Sequence, residues 1–160
     1  LVRRRLNPQA GWTFLQGASV HQGRLIGGCI EVLDWLRGTD FWPEASHWQD
    51  AILFLEPSED VPTPDAITWY LRTYAALGIL EKLSGIFYAR PYGIKPEQFG
   101  DYDEAILKVV AAEEGLTNLP IVTGMDFGHT EPVFVIPYGV EARIDCDQQQ
   151  IFILESGVTN

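Results

Sequence analysis

The segment AILFLE, residues 51–56, is an apolar run closed by a glutamate. Such an uninterrupted run, bounded by polar residues, predicts a strand that is covered on both faces, as in a parallel sheet. Two further runs, GIFYA at 85–89 and PIVTG at 120–124, each follow a segment with helical periodicity. This alternation of strand and helix predicts an α/β fold with a mainly parallel central sheet.

Three helices are predicted, one before the first of these strands and one in each interval between them. Residues 29–36 carry apolar side chains at helical spacing, and Gly38 stands where a helix C-terminal glycine belongs. Residues 62–80 have Pro64 in the first turn and a broad apolar stripe. Residues 103–114 repeat that stripe, which indicates a third helix.

The ends of the chain predict further strands. Residues 11–28 combine aromatic and β-branched residues with closely spaced glycines, which favours short strands joined by tight turns. Residues 132–137, 140–144 and 149–154 are separated by turn residues and predict an antiparallel layer added to the sheet. The 160 residues suit one domain.

The charge and cysteine content exclude several classes of function. The formal net charge is −11, which disfavours nucleic acid and anionic membranes as partners. The basic run at residues 1–5 is interpreted as the end of a longer chain.

No apolar run approaches the roughly 18 residues of a membrane span, and no signal peptide is evident. Cys29 and Cys146 belong to no disulfide or zinc pattern, so a cytoplasmic protein without metal or cofactor is expected.

Two polar residues stand where parallel strands end. Glu56 follows ILFL directly, and His129 lies in the glycine-flanked loop that follows PIVT. Strand ends of this kind form the ligand crevice in open α/β sheets, and a loop histidine suits a general base that a glutamate can orient. The alternative is structural, because strand-end glutamates and loop histidines are commonly solvated or involved in packing. If the two strands are neighbours, both side chains reach one rim.

A nucleophile to complete such a pair is not evident. Ser19, in GASVH, lacks the final glycine of a G-x-S-x-G elbow and follows a strand-like stretch. Cys29 is better explained as a small buried apolar residue than as a nucleophile. The acidic stretch EPSED, residues 56–60, is interpreted as a solvated loop rather than a cation site.

Three ordered blocks carry a family resemblance: GRLIGGCIEVLDWLRGT at 23–39, AILFLEPSED at 51–60, and IVTGMDFGHTEP at 121–132 with the adjoining VFVIPYGVEARID at 133–145. They resemble the LD-carboxypeptidase and microcin C immunity family of serine peptidases. The similarity runs from about residue 11 to 153 and matches the carboxy-terminal one of that family's two domains, a small swivelling β/β/α module. The resemblance implies a Ser–Glu–His triad in which Glu56 and His129 are the family glutamate and histidine.

The same resemblance implies a serine in an amino-terminal domain that residues 1–160 do not contain, a peptide-like small substrate and a homodimer. This chain alone is therefore expected to be inactive, as one lobe of a serine carboxypeptidase. The other hypothesis is a non-catalytic binding or assembly module with the same fold. Cys29 stands where an asparagine commonly follows the two glycines, which leaves the substrate open between a muropeptide with a terminal D-alanine and a peptidyl-nucleotide or other acyl-amidate.

An apolar surface that the missing domain would cover is also predicted. Five aromatic residues crowd segments outside the predicted core elements, and exposed apolar patches mark interfaces. They are Trp12, Phe14, Phe41, Trp42 and Trp48. The alternative is that these aromatics fill the core of the chain itself.

Overall fold

A computed structural model of the chain describes residues 11–158. The basic run at residues 1–5 lies outside that range. The strands are β1 Thr13–Gln16, β2 Val20–Cys29, β3 Ile52–Glu56, β4 Gly85–Ala89, β5 Ile121–Met125, β6 Glu141–Asp145 and β7 Gln150–Ile153. The α-helices are α1 Ile30–Leu36, α2 Pro64–Ala76 and α3 Phe99–Leu107, the last continued by a π-helical turn, Lys108–Glu113.

The strands form one seven-stranded sheet in the order β1-β5-β4-β3-β2-β6-β7. The four central strands, β2 to β5, pair in parallel. The strands outside them pair antiparallel, with β1 on β5 and the β6-β7 hairpin on β2. The predicted α/β class, with a parallel centre and added antiparallel strands, is confirmed.

The apolar run of β3 is buried on both faces because successive side chains of a strand point in opposite directions. Leu53 and Leu55 pack in a cluster with the helices, whereas Ile52 and Phe54 pack in a second cluster with side chains from the 126–140 segment. Residues 52–55 are therefore all buried. The sheet is a central layer with helices on one face and an irregular segment on the other.

A close approach of β2 to β3 fixes the position of the carboxyl end of the sheet. Gly27 pairs with Phe54 across the two strands, and a Cβ atom at Gly27 would overlap the Phe54 backbone. The same register places Cys29 opposite Glu56. One glycine of the GRLIGG segment thus has a packing role beside the candidate site.

Three predicted elements differ from the structure. Residues 132–137 form no strand: the segment follows a cis Glu131–Pro132 peptide, and Phe134 donates a backbone hydrogen bond to the Asp126 carbonyl rather than to a strand. Helix α2 ends at Ala76 instead of residue 80, because Gly78 adopts a φ of +64° that stops the helix. Helix α3 begins at Phe99, four residues before the predicted start at 103, after a short 3-10 turn at Pro96–Gln98.

The five aromatic residues expected on the surface are divided between core and solvent. Trp48 is buried and Phe14 and Trp42 are half-buried, so the expectation of exposure was wrong for Trp48. Trp12 and Phe41 remain exposed, at 39% and 81%. Within residues 11–158 no helix combines the length and the hydropathy that crossing a membrane requires.

Candidate catalytic site

Glu56 is the last residue of β3 and lies at the carboxyl edge of the parallel sheet. Its side chain is 13% exposed. The loop that carries His129 follows β5, and β4 lies between β3 and β5. The two strands are therefore not neighbours, and the loop must cross the end of β4 to reach Glu56.

The loop does make that crossing and brings His129 onto the Glu56 carboxylate. Glu56 Oε2 lies 2.7 Å from His129 Nδ1 and accepts a hydrogen bond from the His129 backbone N–H at 3.0 Å. One carboxylate oxygen thus holds both the main chain and the ring of the histidine. A ring bound through Nδ1 is oriented with Nε2 pointing away, which is the arrangement a general base requires.

Gly128 makes this contact sterically possible. Its φ of +75° is in the left-handed region, which glycine adopts without steric cost. A Cβ atom built at Gly128 would overlap the Glu56 side chain. The glycine that precedes His129 therefore lets the backbone pass directly over the carboxylate.

A buried ion pair anchors the start of the same loop. Asp126 Oδ1 lies 2.7 Å from Arg90 Nε, and Asp126 Oδ2 accepts a hydrogen bond from Trp12 Nε1 at 3.0 Å. Arg90 also donates to the Pro132 carbonyl at 3.2 Å. Sequence reasoning missed these residues, although Arg90 directly follows β4 and Asp126 directly follows β5, the strand-end signal that identified Glu56.

A second carboxylate approaches the other side of the imidazole. Glu59 Oε2 lies 3.0 Å from His129 Nε2, and the Glu59 side chain is 65% exposed. The loop that carries Glu59 is held from α1, because Glu31 accepts hydrogen bonds from both the backbone N–H and the hydroxyl of Ser58. The stretch expected to be a solvated loop is therefore partly fixed beside the histidine.

These carboxylates raise the pKa of His129 above its usual value near 6.5. The hydrogen bond to Glu56 is the largest cause, and the negative charges of Glu56, Glu59 and Glu31 act in the same direction. Burial raises the pKa of Cys29, and Glu31 raises it further. Cys29 is thus held as a thiol that donates to Glu31 at 3.4 Å, which argues against its use as a nucleophile.

Ser19 and Ser58, the two serines with a position worth testing as a nucleophile, are placed away from His129 or in other contacts. Ser19 precedes β2, whose ten residues rise about 3.3 Å each, so it lies roughly 30 Å from the strand end opposite Glu56. Its φ of +63° belongs to the turn between β1 and β2 and not to a strand-to-helix elbow. Ser58, the serine nearest in sequence to Glu56, directs its hydroxyl to Glu31 at 2.6 Å.

A cleft of about 530 Å³ opens beside His129. The loop after β4 supplies one wall with Tyr92 and Lys95, and Phe99 at the start of α3 extends it. Arg90 and Asp126 also line the cleft and are paired with each other. A histidine paired with a carboxylate therefore borders a space large enough for part of a small ligand.

Most of the chain matches a known protein family. The model of the LD-carboxypeptidase C-terminal domain matches residues 22–144, which is more than three quarters of the chain. That range contains both Glu56 and His129.

Individual relatives agree with this match. The microcin C7 self-immunity protein MccF of Escherichia coli is 27% identical over 145 residues, covering 87% of this chain and 38% of the relative. The crystal structure of an MccF-like protein from Streptococcus pneumoniae in complex with AMP superposes with a TM-score of 0.76 at 29% identity, over 92% of this chain and 45% of that one. An MccF-like protein from Bacillus anthracis gives a TM-score of 0.73 at 25% identity, over 97% and 46%. The chain spans less than half the length of each.

Proposed function

The chain belongs to the LD-carboxypeptidase C-terminal domain family, and on that premise we propose that it is the general-base lobe of a serine carboxypeptidase. In this proposal His129 is the base and Glu56 orients it. The nucleophilic serine comes from a segment outside residues 1–160, since the relatives are more than twice as long as this chain. The observation that carries the proposal is the contact of Glu56 Oε2 with both Nδ1 and the backbone N–H of His129.

The chemistry follows from the orientation of the ring. A serine hydroxyl that attacks a C-terminal amide carbonyl gives its proton to Nε2 of His129. The imidazolium that forms is stabilised by Glu56, which stays ionised throughout. His129 then gives the proton to the leaving amine, and a second cycle with water releases the acid. Because residues 126 and 128 fix the loop, the base is positioned before the substrate binds.

For the substrate we propose an acyl-amidate whose leaving part includes a nucleotide, with a D-alanine-terminated muropeptide as the second candidate. The MccF-like protein of Streptococcus pneumoniae was crystallised with AMP, and it is 29% identical to this chain. The cleft beside His129 offers the aromatic rings of Tyr92 and Phe99 and the cation of Lys95, groups that suit a planar base and a phosphate. The ratio of kcat/KM for the two substrates decides between them.

The test uses the longer protein that joins this lobe to a serine-bearing lobe. His129→Asn and Glu56→Gln are each expected to lower kcat by about 10³-fold or more, because members of a triad act as a unit. Glu104→Gln, an exposed carboxylate on α3, is the matched control and should leave kcat unchanged. Equal activity of the His129→Asn variant and its parent would refute the proposal and leave the non-catalytic binding module as the function of this fold.

A further inference from the structure

The contact between Glu59 and His129 has no part in the chemistry proposed above. A general base needs Nε2 free to face the nucleophile. In this structure Glu59 Oε2 lies 3.0 Å from that nitrogen, while Glu56 takes Nδ1 on the other side. The imidazole is thus held between two carboxylates, which suits an imidazolium that donates from both nitrogens.

We propose that Glu59 is a blocking residue: its carboxylate occupies the Nε2 side of His129 and must move away before a serine hydroxyl can use that nitrogen. This inference rests on the proposed role of His129 as a base. Displacement is accompanied by loss of the Nε2 proton to solvent, after which the lone pair of Nε2 faces the serine hydroxyl. Until the nucleophile is in place, the imidazole of His129 therefore stays bound to both carboxylates and cannot accept a proton.

The positions of the two carboxylates explain why one is permanent and the other can be displaced. The side chain of Glu56 is 13% exposed and lies under the 126–129 loop. The side chain of Glu59 is 65% exposed, so water and salt screen its attraction for the ring. Its backbone, in contrast, is positioned by the hydrogen bonds of Ser58 to Glu31. Glu59 can therefore leave Nε2 by rotating its side chain while the loop stays in place.

The charged groups around the ring come from several elements. Glu31 lies on α1, Glu56 ends β3 and Glu59 is in the following loop, and all three favour the imidazolium. On the cleft side the ring shares its wall with four charged residues, of which Arg90 and Asp126 neutralise each other. The other two are Lys95 and Glu131. The local charge that acts on Nε2 is negative, and Glu59 is the member of the set that touches that atom.

The experiment measures the titration of His129 in the 160-residue chain by NMR of its imidazole signals, assigned with His129→Asn. The titration midpoint of His129 is expected to fall from wild type to Glu59→Gln and to fall further in Glu59→Lys. The first substitution removes a negative charge that raises the pKa of His129, and the second replaces it with a positive charge. Glu104→Gln should titrate like wild type. Added salt should reduce the difference between wild type and Glu59→Gln, as expected for an exposed pair.

A second measurement tests the displacement itself. In the longer, serine-bearing protein, Glu59→Gln should raise kcat/KM by about two- to fivefold at pH values on the acid limb of the pH profile. A change of this size corresponds to the strength of an exposed ion pair. Midpoints that are the same in wild type, Glu59→Gln and Glu59→Lys would overturn the blocking role, as would an unchanged or lowered kcat/KM. Failure of the proposed function looks different, because then Glu56→Gln leaves the His129 midpoint unchanged or His129→Asn retains activity.

Discussion

At the scale of single residues, the contact between His129 and Glu56 depends on one backbone position. His129 reaches Glu56 because Gly128 adopts a φ of +75° directly above the carboxylate. Any side chain at that position meets two costs: the left-handed conformation itself, about 1–2 kcal/mol, and the overlap with Glu56. The neighbouring histidine is thus positioned by a residue that has no functional group.

Gly128→Ala is accordingly expected to destabilise the chain by about 1–3 kcal/mol and to lower the titration midpoint of His129, because the Cβ atom pushes Glu56 away from the ring. Urea unfolding and NMR titration measure the two effects. Gly100→Ala is the matched control: beyond its chain neighbours and the backbone of α3 itself, no atom lies within 4 Å of its Cβ position, so a gain of up to about 1 kcal/mol is expected. A Gly128→Ala variant with wild-type stability and midpoint would contradict this account.

At the scale of elements, the segment after β5 has two structural roles. Its first part crosses the end of β4 and presents His129. The following residues cover the sheet face opposite the helices, with Phe134 and Ile136 packed against the core. The segment can do this without being a strand because Asp126 ties its start to Arg90 and to Trp12.

Asp126→Ala should therefore destabilise the fold by about 3 kcal/mol, since the Arg90 side chain, only 17% exposed, loses its carboxylate partner. The loop loses its anchor as well, so the His129 midpoint is expected to fall. Glu113→Ala provides the comparison, because it breaks the exposed pair of Glu113 with Arg72. Equilibrium unfolding should show a much smaller loss for that variant, and losses of equal size would argue against the anchoring role.

At the scale of the whole molecule, the proposed function makes this chain the supplier of a base whose nucleophile lies on another segment. Its site lies at the carboxyl edge of the parallel sheet, beside a cleft that is open to solvent. Exposed aromatic side chains occur elsewhere on the surface, with Trp35, Phe41 and Trp69 all more than 60% exposed. A second lobe and a second copy of the chain are two partners that would cover apolar surface of this kind.

The purified 160-residue chain is therefore expected to release no D-alanine from a muropeptide and to cleave no acyl-nucleotide amidate. None of the serine contacts described above connects a hydroxyl to His129, and Ser19 lies roughly 30 Å away along β2. A sensitive release assay on the pure chain checks this expectation. Turnover that disappears in Ser19→Ala would refute it, whereas turnover that persists in Ser19→Ala and in His129→Asn indicates a contaminating enzyme.

The sequence by itself determined the class of the fold and the edge of the sheet where the site lies. Buried parallel strands have a local signature, because a run such as residues 52–55 must be covered on both faces, and the polar residue that ends it must lie at the rim. From that rule both Glu56 and His129 could be predicted as candidate site residues at the same edge of the sheet. The antiparallel strands β6 and β7 were predicted from turn residues for the same local reason.

Only the tertiary structure decided how these residues meet. The insertion of β4 between β3 and β5, the anchoring of Asp126 by Trp12 across 114 positions of sequence, and the approach of Glu59 to Nε2 all depend on contacts between distant segments. The sequence of residues 132–137 is typical of a strand, yet the backbone N–H of Phe134 donates its hydrogen bond to the Asp126 carbonyl and not to a strand. Hydrophobic periodicity records which face of an element is buried, but not which distant group covers it, and the geometry of a catalytic site consists of such distant contacts.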